Sequence, residues 1–144
     1  MKNTLIDAGP LIALFDKDDR YHDIIKQFLR GYVGRLVTTW PVITEASHLL
    51  DFNVRAQIAL LEWLHREAIH IVHLEGEHIR RLIQLAEKYA DVPMDLADGS
   101  LLVVAEMMGI QHIVTIDSDY AIYRTKNKQW LINLLDIDAT FRKT

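Results

Sequence analysis

The stretch Leu96-Ala97-Asp98-Gly99-Ser100-Leu101-Leu102-Val103-Val104-Ala105-Glu106-Met107-Met108 is apolar on nearly every side, and Ile113-Val114-Thr115-Ile116-Asp117 follows it closely. A helix with so little polar surface belongs inside a protein. Gly109 is the residue type that ends helices, and the run Ile113 to Ile116 returns as a short strand. Upstream and downstream the same alternation recurs. Asn3 to Ile6 reads as a buried strand before the turn Asp7-Ala8-Gly9-Pro10, and a short helix is expected from Pro10. Ile24, Ile25, Phe28, Leu29 and Tyr32 mark a helix over about Asp19 to Tyr32. Arg35 to Thr38 is a second strand, and Trp40-Pro41 opens a helix to about Leu50. Further elements are a helix over Val54 to Glu67, a strand over Ala68 to Leu74 and a helix carrying Ile79, Leu82, Ile83, Ala86 and Tyr89. Trp130 to Leu135 is expected to be an edge strand. Strands alternating with helices predict an α/β fold, with a mostly parallel sheet of about four to five strands flanked by helices.

The 144 residues suit one domain, with 50% hydrophobic and 25% charged residues. The absence of cysteine excludes a disulfide framework and thiolate zinc sites, and it suits a reducing cytoplasm. Asp7 cuts the first apolar run short, so no signal peptide is expected there. The run Leu101 to Ala105 falls far below the ~20 residues of a membrane span, and we expect a soluble cytoplasmic protein with no membrane partner. With 20 acidic and 16 basic residues the net charge is −4, which argues against a broad basic surface for nucleic acid. It leaves open acids gathered at a metal site with bases on its rim.

Four acids share one location in this element order. Asp7 and Asp117 end strands, Glu45 lies in the first turns of the helix after the second strand, and Asp98 lies in the first turn of the buried helix. Ligand sites of open parallel sheets form at the carboxyl ends of the strands. Glu45 lies three residues after Val42 and four before Leu49, so it is expected on the apolar face with Ala46 and Leu50. Asp98 precedes Leu101 and Leu102 by three and four. Buried carboxylates are costly unless paired or bound to a cation, and neither helix offers a lysine or arginine. Hard oxygen ligands favour Mg²⁺, with Mn²⁺ as a substitute, and such a nest of acids is suited to attack on a phosphodiester.

Each acid also has a plainer reading. Asp7 could open a turn, and Glu45, Asp117 and Asp119 could be solvated. Asp95 reads first as the N-cap of the buried helix. His70 and His73, like His48, His65, His78 and His112, show no zinc-ligand spacing. His22 reads as a surface histidine. Lys17, Arg20, Arg124, Lys126 and Lys128 read as a solvated face whose placement also suits phosphates flanking a scissile bond.

Leu5-Ile6-Asp7-Ala8-Gly9-Pro10-Leu11-Ile12-Ala13-Leu14, Thr44-Glu45, Met94-Asp95-Leu96-Ala97-Asp98-Gly99-Ser100 and Val114-Thr115-Ile116-Asp117-Ser118-Asp119-Tyr120 occur in this order. Together they resemble the four acidic motifs of the PIN domains, and among these the small VapC-type toxins of toxin–antitoxin pairs. The resemblance covers nearly the whole chain and implies that residues 1–144 form one PIN-like nuclease domain. It implies a Mg²⁺-dependent endoribonuclease whose catalytic and metal-holding residues are Asp7, Glu45, Asp98 and Asp117. It further implies an RNA substrate, a protein antitoxin and a homodimer. Many members carry a serine or threonine two residues after the first acid, and Gly9 stands there instead. Two rivals remain. A non-catalytic PIN-fold binding module would use the fold only to hold a partner. A receiver-like phosphoacceptor domain would need a lysine after a late strand, where this chain has Asp136.

Overall fold

Strands β1 (Asn3–Ile6), β2 (Arg35–Thr38), β3 (Ile69–Ile71), β4 (His112–Val114) and β5 (Ile132–Asn133) pair in the order β3-β2-β1-β4-β5. Every pairing is parallel, with Leu5 opposite both Val37 and Ile113. These coordinates are a computed structural model that describes residues 2–92 and 94–135; Asp136 lies outside them. Parallel neighbours require crossover connections, and up to β4 helices supply them: α1 (Ala8–Phe15), α2 (His22–Gly31), α3 (Trp40–Leu49), α4 (Val54–His65), α5 (Ile79–Lys88) and α6 (Leu96–Met108), whereas β4 and β5 are joined through a 3-10 turn at Ser118–Ala121. α1 packs against α2, α3 and α4, while α6 packs against α3 and α5. No helix among the described residues is long and apolar enough to cross a membrane.

The centre of the fold is β1 with α6. Leu5 and Ile6 are fully enclosed, and every residue of α6 from Ala97 to Ala105 is buried. That accounts for a helix apolar on all sides. α6 ends where expected because Gly109, at φ 66°, takes the left-handed conformation that a side chain would strain.

Several boundaries differ from the sequence expectation, each for a local reason. α1 begins at Ala8, with Asp7 as its N-cap residue; Pro10 fits inside the first turn because the N–H it lacks has no helical partner there. α2 begins at His22 because Asp16 and Asp19 accept the backbone N–H groups of Asp18 and Tyr21, holding the approach in turns. α4 stops at His65, and Glu67 follows with φ 59°. β4 starts one residue early and ends at Val114, because Asn133 intervenes: its Oδ1 accepts from Thr115 N–H at 3.3 Å and its amide donates to Thr115 C=O at 3.0 Å. A side chain thus replaces the ladder beyond β4, and β5 shrinks to two residues at the sheet edge.

Candidate metal centre

Asp7 continues β1 as the chain turns into α1. Its N–H donates to Val114 C=O at 3.1 Å, which ties the carboxyl ends of β1 and β4 together. Its carboxylate, only 6% exposed, accepts from the Thr115 hydroxyl at 3.1 Å. The same hydroxyl accepts from Asp117 N–H at 3.0 Å. Thr115 therefore clasps the first and last acids at once. Asp117 is half-buried and accepts from Asp119 N–H at 2.9 Å, which starts a 3-10 turn over Ser118–Ala121.

Asp98, 7% exposed, sits in the first turn of α6. Its two carboxylate oxygens accept from the Tyr120 hydroxyl at 3.1 Å and the Tyr123 hydroxyl at 3.2 Å. Both rings are buried and meet edge to face, with centroids 5.2 Å apart. Asp95 has the capping role, its side chain accepting from Asp98 N–H at 2.8 Å.

Asp7, Asp98 and Asp117 each present an oxygen within 4.8 Å of the other two. Such proximity of like charges in a dry place is unfavourable without a cation. Burial pushes the Asp98 carboxyl up to about 7, with repulsion from Asp7 and Asp95 adding to it and the Tyr120 hydrogen bond opposing it. Burial likewise raises Asp7 to about 6, against the pull of the Ala8 backbone and the Thr115 hydroxyl. Among the described residues no lysine or arginine forms an ion pair with any of these acids. The donor set, all carboxylate oxygen, and the missing counter-charge together fit a hard divalent cation.

Glu45 stands outside this trio. It is half-buried, because the enclosed face of α3 is Val42, Ile43, Ala46 and Leu50, while Leu49 is exposed. Of the expected apolar face only Leu49 lies outside the enclosed stripe, and Glu45 stands at the border of that stripe. It still feels the cluster: burial first, then Asp95, Asp98 and Asp117, raises its carboxyl above the ordinary range.

Other expectations resolve simply. No histidine joins a metal-ligating group among the described residues. His22 is half-buried, and its Nδ1 bonds Ala13 C=O at 2.7 Å, joining α2 to α1. Lys17, Arg20, Lys126 and Lys128 are exposed, whereas Arg124 is half-buried with its guanidinium over the Trp130 ring. A Cβ on Gly9 would meet Ile116 at an ordinary 3.6 Å. Space does not forbid a hydroxyl-bearing residue there; the hydroxyl on Asp7 comes from Thr115 instead.

Sequence reading missed Thr115, Tyr120 and Tyr123. A usable signal existed: two tyrosines three apart directly after a site acid, since a buried phenol needs a partner for its hydroxyl.

The fold has solved counterparts. The crystal structure of VapC20 from Mycobacterium tuberculosis, described as a sarcin–ricin loop cleaving toxin, superposes with a TM-score of 0.76 at 17% identity, covering 83% of this chain and 93% of that one. A toxin–antitoxin complex from Klebsiella pneumoniae gives 0.62 at 19% identity, covering 82% and 90%. At these identities the likeness is one of fold. No curated protein matches the sequence. The family model for the PIN domain matches residues 4–128. By that match the chain belongs to the PIN domain family.

Proposed function

We propose that this protein is a Mg²⁺-dependent endoribonuclease and the toxin of a toxin–antitoxin pair. The observation that carries the reading is the trio Asp7, Asp98 and Asp117, with oxygens within 4.8 Å of one another and, among the described residues, no cationic side chain paired with them. These three, with Glu45 at the border, would hold the ion, and Mn²⁺ would substitute. A bound Mg²⁺ supplies charge neutralisation at the phosphate and lowers the pKa of water enough to make it a nucleophile.

The chain's own residues do the rest. Thr115 fixes the separation of Asp7 from Asp117 through its two hydrogen bonds. Tyr120 and Tyr123 fix the rotation of Asp98 and favour its ionised form, since hydrogen bonds to a carboxylate stabilise the charge. The turn at Ser118–Ala121 brings these tyrosines to the cluster. With a cation held there, the acidic pocket would accept a phosphate in spite of the net charge of −4.

The toxin reading rests on PIN membership together with the structural neighbours, one described as a sarcin–ricin loop cleaving toxin and one as a toxin–antitoxin complex. It brings with it a protein antitoxin, a homodimer and a cytoplasmic setting. A binding module that merely keeps the fold is the second reading, and the retained acids speak against it.

Purified protein incubated with total RNA tests the proposal. Cleavage should require Mg²⁺ or Mn²⁺, stop with EDTA and leave 5′-phosphate and 3′-hydroxyl ends. Activity in excess EDTA, or 2′,3′-cyclic phosphate ends, would overturn the mechanism. Complete inertness with either ion would favour the binding module.

A further inference from the structure

Beside the acid trio lies a cavity of about 440 Å³ whose lining includes Thr115, Asp117, Ser118, Arg124 and Trp130. That size is in the range of small-ligand pockets, ~300–1,000 Å³. It shares Thr115 and Asp117 with the metal centre, so anything seated there abuts the reacting position. Part of its wall is an aromatic–cation pair: Trp130 is 61% exposed, and the Arg124 guanidinium lies 5.0 Å from the ring centroid.

Arg124 is held in place. Its N–H donates to the Tyr89 hydroxyl at 2.7 Å, and its Nη1 donates to Ala121 C=O at 2.7 Å and Tyr123 C=O at 2.9 Å. Among the described residues no carboxylate neutralises it. The surface continues past Trp130 into a second depression lined by Lys128, Gln111 and Gln129. Two cations thus flank an exposed indole on a path that begins at Asp117.

We propose that this path is the subsite for the nucleotide flanking the scissile phosphate, with Trp130 stacking an unpaired base and Arg124 and Lys128 meeting the backbone phosphates. The inference rests on the reading of the acid trio as an RNA-hydrolysing centre. Single strands are bound by aromatic faces interleaved with cations, which is the pattern here. The larger groove of about 610 Å³ between α3 and α5 is lined by Trp40, Ile79, Ile83 and Leu96, with Glu75 as its charged lining residue and, among the described residues, no lysine or arginine to meet a phosphate.

The test measures binding of a short unstructured RNA to full-length protein carrying Asp98→Asn, and cleavage by protein with the native acids, both with Mg²⁺. Trp130→Ala should weaken binding about tenfold, the scale of one lost base stack, and Trp130→Phe should recover most of it. Arg124→Gln should weaken binding and lower the salt-dependence slope by about one, the signature of one lost phosphate contact. Trp130→Ala and Arg124→Gln should each raise KM more than they lower kcat. Unchanged affinity and KM in Trp130→Ala, together with unchanged affinity, slope and KM in Arg124→Gln, would overturn the subsite. Cleavage that survives Asp98→Asn would instead overturn the reading of the acids, and the binding arm would still report on the subsite.

Discussion

Asp98 is where the competing forces on single side chains are clearest. Burial and neighbouring acids favour its neutral form, while two phenols favour its charge. Tyr120→Phe keeps the ring and removes one donor, so the Asp98 pKa should rise further above about 7. At subsaturating Mg²⁺, where protons compete with the ion for Asp98, the pH–rate profile of kcat/KM should then shift its acid limb to higher pH, with activity near neutrality down roughly tenfold, the usual scale for one charge-assisted bond. An unshifted profile would mean that the phenol only fills space. The same shifts set how metal-free protein responds to pH. Asp7 and Asp98 lie at about 6 and about 7 in the folded state, above the ordinary 3.8. The folded state therefore holds protons more tightly than the unfolded chain, and stability falls as pH rises from about 4 to about 7. Thermal melts in EDTA should give a higher Tm near pH 5 than near pH 8, with the difference reduced in Asp98→Asn. A Tm rising across that window in step with these carboxyls would contradict the burial described here.

At the level of elements, α6 carries both core and chemistry, and its start can be tested apart from its site. Asp95→Ala removes the cap on Asp98 N–H and should cost about 1 kcal/mol, within the usual 0.5–2 for a lost N-cap. Denaturant melts should register that loss while RNA cleavage stays within a few-fold of wild type. Collapse of activity at unchanged stability would assign Asp95 to the site instead. α6 was readable residue for residue because its composition left no other place for it and Gly109 stopped it. β1 was bounded by Asp7, and β2 by the helix that Trp40-Pro41 opens, in the same way. β4 and β5 were not, because the contact that ends the ladder is the side chain of Asn133 on the Thr115 backbone. No periodicity encodes such a bond between residues 18 apart. On α3 the expected face is enclosed at Val42, Ala46 and Leu50, whereas Leu49 looks like core and is exposed.

For the molecule as a whole, element order alone implied that acids on four segments meet at one edge of the sheet. The sheet explains why: β1 lies between β2 and β4, so the chain leaving β1 at Asp7 passes beside that leaving β4 at Asp117. What element order does not encode is fine distance, and Glu45 falls outside the trio of closely spaced oxygens. The tyrosines that hold Asp98 were equally hidden, since their partner lies 22 and 25 residues earlier on another element. The proposal that this edge is a cation site bears directly on global stability, because a bound ion stabilises the folded state by mass action. The most direct test is a thermal melt of wild type and Asp98→Asn near pH 8, each with Mg²⁺ and with EDTA. Mg²⁺ should raise the Tm of wild type and raise that of the variant less, and in EDTA the variant should melt no lower than wild type. A variant that melts lower in EDTA, with wild type indifferent to Mg²⁺, would show that Asp98 is a structural carboxylate and that the edge holds no ion.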